Sequence, residues 1–112
     1  MAEARWRTYD ETNAIAAAPN VTRRTLESGD KLTMLRVELE PGGCVVEHVH
    51  PHEQIGTVVS GSVNLRLGTE TRQVDAGGCY LIPGDLPHEL TAITAAVVIE
   101  AFAPVREDLA GL

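Results

Sequence analysis

Short stretches in which apolar and polar residues alternate follow one another along most of this chain. Between residues 31 and 40, for example, Leu35, Val37 and Leu39 alternate with Arg36 and with glutamates. A period of two predicts strands with one buried face, and turns rich in glycine, proline and aspartate separate the stretches. The predicted strands are residues 21–26, 31–40, 44–50, 55–60, 62–67, 71–74, 79–82, 88–93 and 96–102.

Many short strands at even spacing predict an all-β sandwich or barrel. The Gly-Gly turns before Cys44 and Cys79 each lead to a Pro-His-Glu sequence, and this weak internal repeat favours a jelly roll. A chain of 112 residues is the size of one domain. We expect residues 1–20 to be a lead-in segment of irregular or weakly helical structure and residues 21–112 to form the single domain.

The net charge of −7 and the aromatic content of 4% argue against nucleic-acid and anionic-membrane partners. Binding of an acidic small-molecule substrate would require local arginines that overcome the repulsion by the negative net charge. The N-terminal residues lack a signal-peptide pattern, no apolar run is long enough for a membrane span, and two cysteines make no disulfide framework. We therefore expect a cytoplasmic protein, and a homodimer that covers exposed sheet edges.

Three of the four histidines, His48, His50 and His52, lie within five residues of one another. Imidazole is the commonest metal ligand in proteins, and an amide oxygen can complete a site. In an extended strand, His48, His50 and Gln54 share one face, whereas Glu53 lies on the other. A polar edge strand with solvated histidines is the alternative interpretation.

This cluster resembles the first motif of the cupin family, Gly-x5-His-x-His-x3-4-Glu-x6-Gly. Gly42, His48, His50 and Gly61 match its fixed positions, and Gln54 stands at the position of the acid.

A second stretch resembles the other cupin motif, Gly-x5-Pro-x-Gly-x2-His-x3-Asn. Gly77, Pro83 and His88 match it, whereas Asp85 and Ala92 replace the glycine and the asparagine. Cupins are jelly rolls, also described as double-stranded β-helices, that hold a divalent metal inside the barrel. The resemblance implies four metal ligands, which are His48, His50, Gln54 and His88. Zinc or nickel is the first expectation for the metal, with manganese or iron as alternatives.

The neutral Gln54 leaves such a metal with its full positive charge. A more positive centre polarises carbonyl groups and bound water more strongly. Iron redox chemistry, by contrast, usually exploits an anionic ligand. Gln54 therefore favours Lewis-acid chemistry over oxygenase chemistry.

The sequence from His50 to Gly56 and the C-terminal sequence from Glu100 to Asp108 resemble the KdgF-type cupins of pectin and alginate breakdown. These cupins convert cyclic unsaturated uronates to linear ketonised sugars, and their C-terminal pattern is Asp-x-Phe-Ser-Pro-x-Arg-Glu-Asp. Glu100, Phe102 and Arg106 match its functional positions, with a longer carboxylate at Glu100. The resemblance implies that the carboxylate moves a proton and the arginine holds a substrate carboxylate.

We therefore expect a metal-dependent enzyme of isomerase or lyase type that acts on a small organic acid, an unsaturated uronate first of all. One alternative is a cupin polyketide cyclase, which performs an aldol-type ring closure and depends little on Arg106. The other alternative is a non-catalytic metal cupin or an oxygenase.

Overall fold

The computed structural model describes residues 1–110, and nearly all of its regular structure is antiparallel strand. Single 3-10 turns occur at Tyr9–Glu11 and Glu107–Leu109. The strands are β1 (Ile15–Ala18), β2 (Val21–Ser28), β3 (Thr33–Leu39), β4 (Cys44–His48), β5 (Glu53–Ser60), β6 (Ser62–Leu67), β7 (Glu70–Asp75), β8 (Cys79–Ile82), β9 (His88–Ala92) and β10 (Ala96–Ala103).

The strands form two sheets, one of six strands in the order β1-β2-β3-β10-β5-β8 and one of four in the order β4-β9-β6-β7. Consecutive strands repeatedly change sheet, which is the connectivity of a jelly roll. Val58 and Val98 from the larger sheet and Val63 and Leu90 from the smaller one belong to a single buried core. The all-β, double-stranded β-helix architecture predicted from the sequence is confirmed.

The alternation along the strands sets which side chains face the interior. In β3, Leu35, Val37 and Leu39 are buried, as the sequence predicts. In β10 every second residue is buried, so Glu100 and Phe102 point to the same side as the apolar core residues. The carboxylate of Glu100 therefore lies inside the barrel, as the alternation along the strand indicates.

The lead-in segment differs from its prediction at one end. Ile15–Ala18 forms the edge strand β1, which pairs antiparallel with β2. Most of β1 is exposed to solvent, so its sequence carries no alternation of buried and exposed residues. Backbone hydrogen bonding to the edge of β2, rather than burial, defines this strand, and a periodicity argument therefore missed it.

The rest of the lead-in crosses the outer face of β2 and β3. The Tyr9 hydroxyl donates a hydrogen bond of 3.0 Å to Glu38. The Arg24 guanidinium lies 4.2 Å from the centre of the Tyr9 ring, and that of Arg36 lies 5.2 Å from it. Tyr9 therefore docks on its own domain, whereas the Trp6 side chain is 95% exposed.

Both helical segments of residues 1–110 are single turns, and neither is long and apolar enough to cross a membrane.

Candidate metal centre

Three histidines meet where β4 and β9 lie side by side. His48 ends β4 and pairs directly with His88, the first residue of β9, and His50 follows two residues after β4. One ring nitrogen from each histidine lies within 4.8 Å of the other two. The ring centres of His48 and His88 are 4.2 Å apart, and those of His50 and His88 are 5.0 Å apart. The fold therefore brings together His48 and His88, which belong to the two sequence motifs and are 40 positions apart in the chain.

Backbone carbonyl groups fix the orientation of all three imidazole rings. Each Nδ1 lies within hydrogen-bond distance of a carbonyl oxygen two residues away in the chain. Because a carbonyl oxygen only accepts, each Nδ1 is the donor in its contact, and Nε2 is the ring nitrogen left to bind a metal. The carbonyl groups belong to Val46 for His48 (2.9 Å), His52 for His50 (3.1 Å) and Leu86 for His88 (2.8 Å).

The bare Nε2 of His88 is a buried polar atom without a hydrogen-bond partner among residues 1–110. An unpaired buried acceptor is costly unless something binds it. Burial lowers the pKa of His88, and burial followed by the charge of Arg106 lowers the pKa of His50. Both rings are therefore held in the neutral form that binds metals, and the three histidines fit a divalent metal ion.

Gln54 adds a fourth candidate ligand from β5. Its side chain is buried, whereas the neighbouring Glu53 is exposed, as the strand period predicts. The Oε1 atom of Gln54 lies 3.1 Å from Nε2 of His50. The Gln54 side chain therefore presents an oxygen beside the His50 ring, where it would serve as a fourth ligand to a metal held by the histidines.

The other end of the Gln54 amide contacts a buried carboxylate. Nε2 of Gln54 donates a hydrogen bond of 2.6 Å to Oε2 of Glu100. The Tyr80 hydroxyl donates a second hydrogen bond, also of 2.6 Å, to the same oxygen. Burial raises the pKa of Glu100, although both hydrogen bonds act to lower it. Glu100 is thus oriented by two donors, and it takes up a proton more readily than an exposed carboxylate does.

Tyr80 is a residue of this site that the sequence analysis missed. It pairs with Gly56 across β5 and β8, and Gly56 pairs in turn with Glu100 on β10. The Tyr80 ring lies where a side chain at Gly56 would begin, so the glycine lets the phenol pass over β5 to reach Glu100. A glycine within a strand often marks such a close approach, and this signal was available in the sequence.

These residues open on one cavity of about 240 Å³. The polar side chains of its lining are those of His48, His88, Gln54, Glu100, Arg23 and Arg106. Most of the remaining lining is aliphatic and comes from both sheets, including Val21, Leu35, Val37, Val45, Leu65, Ile82, Leu90 and Val98. Two of the three histidines and the carboxylate therefore line the same cavity.

Phe102 and Arg106 border this cavity from the end of β10. Phe102 is 3% exposed, and its ring centre lies 5.6 Å from that of His50. The Arg106 guanidinium lies 5.0 Å from the centre of the Phe102 ring. Its Nε and Nη2 donate to the two carboxylate oxygens of Asp108 at 3.0 and 2.8 Å. The structure thus brings Glu100, Phe102 and Arg106 to the cavity, but one edge of the arginine is already engaged.

His52 lies next to this site without joining the histidine cluster. Its ring centre is 5.5 Å from that of His50, and its carbonyl oxygen orients the His50 ring. Among residues 1–110, the cluster of histidine and acidic groups able to hold a metal contains His48, His50 and His88.

Comparison with known proteins agrees with this geometry. The family model described as "Cupin domain" matches residues 35–102, which include both histidine motifs. The chain is a cupin. It is 28% identical over 101 residues to the pectin degradation protein KdgF of Dickeya dadantii (strain 3937), a match that covers 88% of this chain and 92% of that protein. The resemblance to the KdgF-type cupins predicted from the sequence is confirmed.

Two solved structures illustrate how widely the fold is shared. KdgF from Halomonas sp. superposes on this cupin with a TM-score of 0.89 and 26% identity, and the match covers 96% of this chain and 99% of the other. The polyketide cyclase RemF from Streptomyces resistomycificus superposes with a TM-score of 0.77 and 24% identity, covering 96% and 90%. At that identity, the likeness to RemF is one of fold alone.

Proposed function

We propose that this cupin is a metal-dependent enzyme of isomerase or lyase type that opens and ketonises cyclic unsaturated uronates. One observation carries the proposal, namely that Gln54, which lines the cavity, contacts both His50 and Glu100. A metal-binding cluster and a buried proton carrier are therefore separated by a single side chain. The similarity to two KdgF proteins, one of which is described as a pectin degradation protein, supports the choice of a uronate.

The residues of the centre match what this reaction requires. Ring opening and ketonisation need an oxygen to be polarised and a proton to be moved to or from an enol-like carbon. His48, His50, Gln54 and His88 would hold the metal. A divalent metal bound there, zinc or nickel first and otherwise manganese or iron, would supply a Lewis acid for the substrate oxygens.

Glu100 is the proposed catalytic acid and base. Its carboxyl group is buried, lines the cavity and is held by Tyr80 and Gln54 through Oε2. A carboxyl group whose pKa is raised by burial accepts and returns a proton nearer neutral pH than an exposed one. Tyr80 orients this group and is a positioning residue.

Phe102 and Arg106 are proposed to bind the substrate. The buried Phe102 ring forms one wall of the site next to His50, where it excludes water. Arg106 would contact an anionic substrate through the N–H groups that Asp108 does not take. The cavity of about 240 Å³ is smaller than the roughly 300–1,000 Å³ typical of drug-sized ligands, and thus suits a single sugar.

The direct test is turnover of an unsaturated uronate. Protein loaded in turn with zinc, nickel, manganese or iron is mixed with the unsaturated uronate, and the decrease in its ultraviolet absorbance is followed. Unchanged absorbance with every metal would overturn the proposal. Glu100→Gln serves as the matched inactive variant, because it keeps the side-chain size and removes the proton carrier.

A polyketide cyclase is the second candidate, and the aliphatic lining of the cavity favours it. A cyclase acting on a neutral substrate would depend little on Arg106. Loss of activity on an acidic substrate in Arg106→Ala would therefore count against ring closure. Uptake of oxygen during turnover would instead point to an oxygenase.

A homodimer and a cytoplasmic location remain expectations from the sequence. The outer face of the larger sheet offers a surface for self-association, because Met34, Ala101, Ile55 and Leu81 form one cross-strand row. Met34, Ile55 and Leu81 are 43, 56 and 52% exposed. An exposed apolar row of this kind is typical of an isologous interface with a second copy.

A further inference from the structure

Arg23 is a second arginine in the wall of the cavity. It lies on β2, where it pairs with Val37 of β3, and it shares its inward face with the buried Val21. The Arg23 side chain is half-buried and lines the cavity together with Val21, Leu35 and Val37. A cation is therefore placed on an otherwise apolar part of the wall.

No partner for this charge is present among residues 1–110. Arg23 makes no side-chain hydrogen bond and no ion pair there, whereas every other arginine is paired with a carboxylate. A guanidinium held against apolar groups without a counter-ion is costly, because water is partly excluded and no anion replaces it. An unpaired arginine of this kind is typical of a binding site in which the ligand supplies the counter-ion.

Arg106, by comparison, has already used one edge of its guanidinium. Its Nε and Nη2 form a bidentate pair with Asp108. A planar carboxylate binds arginine best through two parallel hydrogen bonds. Of the two arginines that line the cavity, Arg23 is therefore the one with both edges open to such a pairing.

We propose that Arg23 binds the carboxylate of the substrate and makes this cavity selective for a sugar acid over the corresponding neutral sugar. The inference rests on the proposed function only in placing a sugar in the cavity. The protein carries a net charge of −7, which repels anions at long range. A local cation from which water is partly excluded reverses that preference inside the barrel.

The topology places Arg23 within reach of the reacting end of such a substrate. β2 and β10 are separated by β3 alone in the sheet, so their backbones are about 10 Å apart. Arg23 and Glu100 line the same cavity from these two strands. A monosaccharide acid bound near the histidines would meet Glu100 on one side and Arg23 on the other.

The test compares two probes that differ only at C6, galacturonate and galactose. Their dissociation constants are measured by titration calorimetry on metal-loaded wild type, Arg23→Met and Arg23→Lys. Methionine keeps an unbranched side chain without the charge. Lysine keeps the charge but lacks the planar guanidinium that forms two parallel hydrogen bonds. Arg72→Met is the matched control for net charge, because Arg72 is 79% exposed and is paired with Glu70.

We expect wild type to bind galacturonate at least about 30-fold more tightly than galactose, and Arg23→Met to reduce this ratio at least about tenfold. Arg23→Lys should fall between them, and Arg72→Met should match wild type. A ratio unchanged in Arg23→Met, or a wild type without preference, would overturn the inference. A ratio measured on one preparation is insensitive to partial unfolding, so a purely structural role of Arg23 would leave it unchanged.

Failure of the proposed function gives a different result. If wild type leaves the unsaturated uronate unchanged but the binding ratio behaves as expected, the proposed reaction is wrong. The proposal that Arg23 binds a carboxylate then still stands.

Discussion

Gly56 lies directly beneath the ring of Tyr80, and these two residues pair across β5 and β8. The phenol crosses the strand at the one place where no side chain obstructs it and reaches Glu100 with a hydrogen bond of 2.6 Å. The orientation of the buried carboxylate therefore depends on the missing side chain of its partner on the adjacent strand, Gly56. The proposed role of Glu100 in proton transfer can therefore be tested through Gly56 and Tyr80, without changing the proposed metal ligands.

Gly56→Ala should lower activity without removing the metal. The new methyl group would overlap the Tyr80 ring and displace it from Glu100. We expect at least about a tenfold decrease in kcat/KM, the size of one lost hydrogen bond to a charged group. Bound metal, measured by elemental analysis, should remain at the wild-type level. Gly29→Ala is the control, because no atom lies within 4 Å of its added methyl group, and a variant at position 56 as active as this control would contradict the prediction.

Tyr80→Phe should destabilise the folded protein. It leaves Oε2 of Glu100 with Gln54 as its remaining donor in the described site. Loss of a hydrogen bond to a buried charged group costs about 1.5–3 kcal/mol. The free energy of unfolding, measured in urea, should fall by this amount, and turnover of the uronate should fall with it. A change below about 0.5 kcal/mol would show that the phenol does not hold the carboxylate.

Gln54→Glu should strengthen metal binding and weaken catalysis. The anionic side chain attracts a divalent metal more strongly than the amide does. It cannot donate to Glu100, however, and it would place a second negative charge against that carboxylate. Chelator competition should report a lower dissociation constant for the metal, while kcat should fall about tenfold or more. A variant with tighter metal binding and undiminished kcat would mean that the neutral amide is not needed.

Glu38→Gln should alter the acid dependence of stability through the N-terminal segment. Burial acts to raise the pKa of Glu38, but hydrogen bonds from Arg24 and Tyr9 outweigh it, so the pKa in the folded protein is lowered. The ionised carboxylate thus stabilises the fold above its usual pKa, and this contribution disappears as the pH falls through the lowered value. The variant should be about 1 kcal/mol less stable than wild type at pH 7.

The stability gap at position 38 should close in acid, below the ordinary glutamate pKa of about 4.3. Urea unfolding of wild type and Glu38→Gln at pH 7 and pH 3 measures this difference in the free energy of unfolding. Glu40→Gln is the control, because Glu40 is exposed and has no ion pair within residues 1–110. A gap of the same size at both pH values would show that the charge of Glu38 is not responsible.

The fold and the histidine cluster were predictable because each leaves a local signal. Strand alternation placed Glu100 and Phe102 inward, and the motif spacing selected Gln54 over Glu53. Gly56 within β5 was a local sign of a close approach, but Tyr80 was missed because only the cross-strand pairing identifies the side chain that approaches. Arg23 was missed for a related reason, because its strand is recognisable but the absence of an ion partner is visible only in three dimensions.

The central claim is that His48, His50, Gln54 and His88 hold one divalent metal. Elemental analysis of protein purified without an affinity tag tests it most directly, after loading with zinc or nickel and removal of excess metal. We predict about one metal ion per chain in wild type and in His52→Ala, and a loss of at least about tenfold in metal affinity in His88→Ala. No bound metal in wild type, or metal retained equally by His88→Ala, would contradict the account.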